Sequence, residues 1–169
     1  EPGKGWYSQQ IVVHFRGEMD VPAYQQAWQQ VVRRHTVLRS AFFWQALNTP
    51  LQGVFNNTTV PFQQYDWRDL PAEQQQQQVT EFLQTDRQQG FELSRPPLMR
   101  IALIRLSDDD CQFVWTHHHL ILDGWSLPII LRDVFEAYAA ACEGRVFNPP
   151  ETPRPFRDYI AWLTQRDQH

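Results

Sequence analysis

Apolar positions run along this chain in two rhythms. Residues 9–16 are rich in β-formers and stop at Gly17, which predicts a strand. From Val21 onward the spacing changes. Tyr24, Ala27, Trp28, Val31 and Val32 recur every three or four residues and mark one apolar face of a helix ending near His35. Asp20 stands where an N-cap belongs, and Pro22 fits in the first turn. Residues 36–44 read as a strand leaving that helix. Residues 51–55 and 60–67 are short strand candidates separated by the turn-prone Asn56-Asn57. Pro71 opens a second helix over 72–89 that Gly90 stops. Its Gln74 to Gln78 run predicts a solvated helix face, since Gln is a fair helix former.

Pro96-Pro97 precede a strand at 98–106, residues 107–110 make a turn, and residues 111–119 alternate well enough for a second strand. Together they predict a hairpin. After Asp123-Gly124 a third helix spans 126–143, with Ser126 as N-cap and Gly144 just beyond its end. A Pro-rich connector, residues 148–155, leads to a last amphipathic helix at 156–166. No internal repeat or domain boundary is visible. The order is mixed α and β, with strands too few and irregular for a doubly wound sheet.

Composition narrows the class. A chain of 169 residues suits one domain, and 42% hydrophobic with 20% charged residues predicts a folded core. Aromatics reach 14%, with seven Trp, which serves a core and also an interface. The net charge of −4, without any basic stripe, argues against nucleic acid. No apolar stretch approaches the roughly 20 residues that span a bilayer, and the first residues lack a signal peptide's basic start and apolar core. Cys111 and Cys142 stand in no metal-like spacing and are expected as buried free thiols, which fits a reducing cytoplasm.

The stretch that carries chemistry is THHHLILDGWS, from Thr116 to Ser126. On a strand, His117 and His119 point to one face and His118 to the other. The strand then gives way to a helix, placing an imidazole, a carboxylate and a helix N-terminus within a few residues. A neutral imidazole can take a proton from an attacking amine or hydroxyl. Gly124 permits a sharp turn, and N–H groups from Gly124 to Ser126 are candidate oxyanion donors. Two readings compete with this one: satisfied core histidines, and a metal site. For the metal, two His at strand spacing are present, but a third ligand must come from Asp123 or elsewhere and no further Cys/His cluster is visible.

His118 and His119, followed by Asp123 and Gly124, resemble the HHxxxDG signature of the condensation-domain superfamily of non-ribosomal peptide synthetases, related to chloramphenicol acetyltransferase. Residues 34–42, RHTVLRSAF, resemble the family's RHExLRTxF motif, with Thr36 and Ser40 as departures. Residues 91–100 resemble its FDL…PL-R segment, and residues 156–162, FRDYIAW, its YxDYAxW motif. Four ordered matches make chance improbable.

The resemblance implies a chloramphenicol acetyltransferase-like α/β fold, a mixed sheet flanked by helices. It makes residues 1–169 the N-terminal lobe of a condensation domain, short of the family's first motif and of a second lobe. His119 becomes the catalytic residue, with His118, Asp123 and Gly124 in support. It pairs Asp123 with Arg34 or Arg39, so that loss of Asp123 strands a partly buried charge and damages folding. Trp125 and Ser126 become possible oxyanion or substrate contacts and favour joining an L donor to an L acceptor. No metal or bound cofactor is implied. Donor and acceptor carrier domains bring phosphopantetheine arms, an adenylation domain lies in the same synthetase, and the setting is cytoplasmic. The missing lobe implies exposed aromatics near Trp125 and Trp162 and a fragment inactive alone. An epimerisation domain, a related HxxxDG acyltransferase and a non-catalytic carrier-docking platform remain as alternatives.

Overall fold

The structure, a computed structural model, describes residues 7–149 and 152–166. The described elements run β1 (Ser8–Arg16), α1 (Val21–Arg34), a 3-10 turn (Thr36–Arg39), β2 (Ser40–Phe43), β3 (Leu51–Val54), β4 (Phe62–Asp66), α2 (Ala72–Gln89), β5 (Met99–Arg105), β6 (Asp110–His118), α3 (Leu127–Cys142) and α4 (Phe156–Arg166).

Four strands form one mixed sheet in the order β1-β6-β5-β4, in which only β4 and β5 run parallel. That parallel pair needs a crossover, and α2 supplies it. The hairpin at β5 and β6 forms as the alternation predicts. The other short strands do not pair with each other around Asn56-Asn57: β3 returns antiparallel on β2 as a separate two-stranded ribbon, and β4 joins the main sheet. Residues 36–39 are helical rather than extended, because Leu38 N–H bonds back to the His35 carbonyl.

Helix α1 starts where local chemistry dictates. Asp20 accepts the Ala23 N–H at 2.9 Å, and the whole anticipated apolar face is buried. Trp28 fits against β6, 5.8 Å from the Phe113 ring and 4.8 Å from Trp115. Ile130, Val134 and Ala137 of α3 close the same core. Burying one such large apolar side chain stabilises by about 1.5–3 kcal/mol. The opposite sheet face, Ala102, Ile104 and Val114, packs on Val79 of α2. The result is a mixed sheet with α1 and α3 on one side and α2 on the other.

Helix α2 has no side-chain cap at Pro71 and ends at Gly90, whose φ of 62° suits a residue without Cβ. Gln74, Gln76, Gln77 and Gln78 are exposed, while Gln75 turns inward to donate to the carbonyls of Trp67 and Leu106 at 2.9 and 2.8 Å. Buried Asp86 fastens this helix to the sheet, accepting from Arg100, Thr116 and Gln10. Both cysteines are free; Cys111 is buried as expected, whereas Cys142, on the last turn of α3, is exposed. Among the described residues, no helix is long and apolar enough to cross a membrane.

Candidate active site

Strand β6 delivers three histidines to three environments. His117 continues the Phe113–Trp115 face and is fully buried, its ring 4.9 Å from that of Trp115. Both of its ring nitrogens lack a hydrogen-bond partner among the described residues. His118 lies on the opposite face near Phe91, as alternation requires. Its Nδ1 accepts the Leu120 N–H at 3.1 Å, so it braces the turn that follows. His119 stands just past the strand end, in a turn closed by Ile121 N–H on the His118 carbonyl. Its main-chain N–H donates to the Tyr7 carbonyl at 2.8 Å, and its side chain is exposed.

Burial first, then the nearness of His119 and His118, holds the His117 imidazole down to about 4, against an ordinary 6.5. The unfolded chain takes up a proton below pH 6.5 that the folded chain refuses. Stability is therefore complete above that pH and is lost as pH falls toward 4, by about 3 kcal/mol in all. Urea unfolding at pH 7 and pH 4 should show this loss, and His117→Leu should remove that share of it. An unchanged acid dependence in the variant would contradict the assignment. Burial and His119 also lower His118, so it adds acid sensitivity of the same sign.

Among the described residues Asp123 meets no arginine. Among the described residues it forms no ion pair; its Oδ1 accepts the Ser126 N–H at 2.9 Å and the Ser126 hydroxyl at 2.6 Å. These bonds hold its carboxyl below the ordinary range. Asp123 is exposed, so the expected stranding of a buried charge on its loss does not apply. Its two bonds hold Ser126, whose own backbone is already helical and whose side chain makes no cap bond, at the N-cap position of α3. The Ser126 N–H is thereby occupied, which removes it from the anticipated oxyanion donors. Gly124 is not in the left-handed region, and a Cβ built there meets nothing within 4 Å, so the backbone itself does not demand glycine.

The arginines serve the scaffold. Arg34 places its Nε 3.1 Å from Asp133 Oδ2, a carboxylate in the middle of α3. Arg39 donates to the carbonyls of Val32, Arg33 and Phe55, tying the end of α1 to the exit of β3. Asp133 and His35, whose Nε2 is 2.8 Å from Asp133 Oδ2, were not singled out by sequence reasoning. One signal was present: Asp133 is a lone carboxylate inside the Ile130, Val134, Ala137 stripe of α3.

These elements surround an open groove of about 980 Å³. His119, Asp123 and Ser126 line it from the β6–α3 turn, His35 and Phe42 from the α1–β2 segment, and Tyr159 and Trp162 from α4. Trp125 does not line it and projects into solvent, 88% exposed; Trp162 is also exposed, stacked on Tyr159. Among the described residues no group of three or more His, Cys, Asp or Glu converges as metal ligands. The arrangement offers an accessible imidazole at the wall of a largely apolar trough, which suits proton transfer or orientation of a nucleophile.

A family profile described as Condensation domain matches residues 1–169. A linear gramicidin synthase of Brevibacillus parabrevis is 42% identical over 99% of the chain, which spans 3% of that protein. Bacitracin synthase 3 of Bacillus licheniformis is 38% identical over 96% of the chain, 2% of its own length. Among solved structures, the first condensation domain of the calcium-dependent antibiotic synthetase, in complex with a substrate analogue, superposes with a TM-score of 0.79 at 20% identity. That match covers 89% of this chain and 36% of the other. The mixed sheet flanked by helices is thus the chloramphenicol acetyltransferase-like fold of those domains.

Proposed function

We propose that this chain, which belongs to the condensation-domain family, is the N-terminal lobe of an acyltransferase that joins two carrier-bound thioesters through an amide bond, L donor to L acceptor. The observation that carries the reading is the exposed His119 ring on the wall of the groove, next to the turn held by the His118–Leu120 and Asp123–Ser126 bonds. The acceptor's α-amine attacks the donor thioester carbonyl. The C–N bond forms, the C–S bond breaks, the donor pantetheine leaves as its thiol, and the amine gives up a proton. A free α-amine has a reference pKa near 8, so its neutral form must be selected or generated. His119 does this by accepting the proton or by orienting the neutral amine.

The thioester is already an activated acyl donor, so holding both arms in register supplies much of the rate. The arms are phosphopantetheine groups of donor and acceptor carrier domains. A second lobe provides the facing wall, an adenylation domain in the same cytoplasmic synthetase loads the substrates, and the isolated lobe is inactive. The test is to supply the intact domain with both loaded carriers and analyse the acceptor by mass spectrometry. An amide that keeps the L configuration is expected. An ester, an inverted centre, or stable carrier binding without product would instead support, respectively, a related acyltransferase, an epimerisation domain, or a docking platform.

A further inference from the structure

The groove carries a second imidazole that this chemistry leaves unused. His35 sits between α1 and the 3-10 turn, its main-chain N–H on the Val31 carbonyl at 2.9 Å and its carbonyl accepting from Leu38 at 3.1 Å. The side chain is mostly buried, yet it lines the same groove as His119. Its Nε2 lies 2.8 Å from Oδ2 of Asp133, itself only 1% exposed. Burial alone would raise the Asp133 carboxyl, but hydrogen bonds from His35 and Arg132, with Arg34 beside them, hold it below its ordinary value. An ionised carboxylate only accepts, so the proton of the His35 ring resides on Nε2. Burial keeps His35 itself below its ordinary value, which leaves the ring neutral at pH 7 and Nδ1 with a lone pair.

Among the described residues the His35 side chain hydrogen-bonds through Nε2, and its Nδ1 is not among the sealed, partnerless atoms that both ring nitrogens of His117 are. Moving the proton to Nδ1 would set the Nε2 lone pair against the buried carboxylate, and turning the ring over would put Cε1–H in place of the Nε2–H donor, so Asp133 fixes the tautomer and the orientation together. The groove therefore displays an acceptor with no capacity to donate. Its complement is an N–H group.

We propose that His35 is a positioning residue whose Nδ1 accepts a hydrogen bond from an N–H of the substrate in the groove, with Asp133 holding the ring from behind. This rests on the reading that the groove takes carrier-borne thioesters. Two sources of N–H then exist: an amide of the pantetheine arm, and the acceptor's α-amine.

The test is His35→Gln in the intact domain. Glutamine can keep a donor on Asp133 but places no acceptor where Nδ1 stood, so a merely structural role is rescued and a positioning role is not. We expect KM for amide-armed substrates to rise about tenfold, the upper range for one lost hydrogen bond, with kcat changing far less and the urea midpoint held. Replacing the arm's amide N–H by an ester oxygen separates the sources. If the arm is the donor, wild type loses about tenfold and H35Q loses nothing further. If the α-amine is the donor, H35Q stays impaired on both arms. Wild-type KM for H35Q on every substrate overturns the proposal. Should H35Q fail to fold, calorimetric binding of amide and ester arm analogues to wild type decides between the sources. Equal affinities together with amine-independent binding of the acceptor sink it. A wild-type domain that forms no amide from either arm instead removes the parent reading, and this one with it.

Discussion

Replacing His119 by alanine in the intact synthetase is expected to cut amide formation by about 10²- to 10⁴-fold, the range for a positioned acid–base group. The unfolding midpoint should stay in place. The separation follows from geometry. His119 contributes to the fold through its main-chain N–H, on the Tyr7 carbonyl at 2.8 Å, which alanine retains. The imidazole is exposed at the groove, so its loss leaves no cavity in a packed core. Its neighbours behave differently: His118 supports the turn through Leu120, and His117 lies in the core. Loss of rate concentrated at position 119, with folding intact, is the pattern of a reactive group. Single-turnover measurements on loaded carriers would read it directly. Unchanged rates would leave the docking-platform reading standing, and a loss confined to KM would make His119 a binding contact only.

The second large effect concerns stability. Asp133→Ala is expected to destabilise the domain by about 3–5 kcal/mol, the cost of removing one partner from a buried pair. Asp133 Oδ2 receives His35 Nε2 at 2.8 Å and Arg34 Nε at 3.1 Å, while Oδ1 receives the Arg132 guanidinium at 3.1 Å. Arg132 is mostly exposed and can turn to water, but Arg34 and His35 are held between α1 and α3. Removing the carboxylate strands the buried His35 donor and takes one partner from Arg34 where α1 packs on α3. Because its hydrogen bonds hold the Asp133 carboxyl below 3.8, the stabilisation is present above that pH and is lost as pH falls through the lowered value. Urea midpoints at pH 7 with an unchanged m-value would check the magnitude. Replacing Asp133 and His35 together by apolar residues of similar volume should recover part of the loss, since exchanging a buried pair is far cheaper than breaking one. A single variant as stable as wild type would show that water reaches these groups and that the pairing contributes little.

This cluster also separates what periodicity reveals from what it hides. The carboxylate facing Arg34 could not be chosen by motif spacing. Asp123 and Asp133 both lie on the same stretch of chain, and only the packing of α1 on α3 brings the second within 3.1 Å of Arg34. Asp123 is drawn off by a strictly local bond to Ser126, three residues away, which competes successfully with any distant partner. The 3-10 turn at Thr36–Arg39 has the same character. Its residues read as β-formers, but Arg39 is anchored to the carbonyls of Val32, Arg33 and Phe55, and that tertiary anchor overrides propensity. Strand partners were equally illegible for β3 and β4. Both were identifiable as strands, but pairing depends on residues far apart in sequence, and a parallel neighbour for β4 exists only because α2 crosses between β4 and β5.

What the sequence alone determined is what short-range physics controls. The Asp20 cap, the buried face of α1, the β5–β6 hairpin and the placement of His119 at the junction of β6 and α3 all follow from residues within a turn or a strand of one another. The tertiary structure decided that Asp133 is a carboxylate meeting Arg34, that His117 is shut inside the core, and that His35, 98 residues from Asp133 in the chain, faces the groove beside His119. Capping and amphipathicity act over three or four residues and so leave a pattern in the chain. Buried pairing and groove lining depend on the packing of distant elements and leave none.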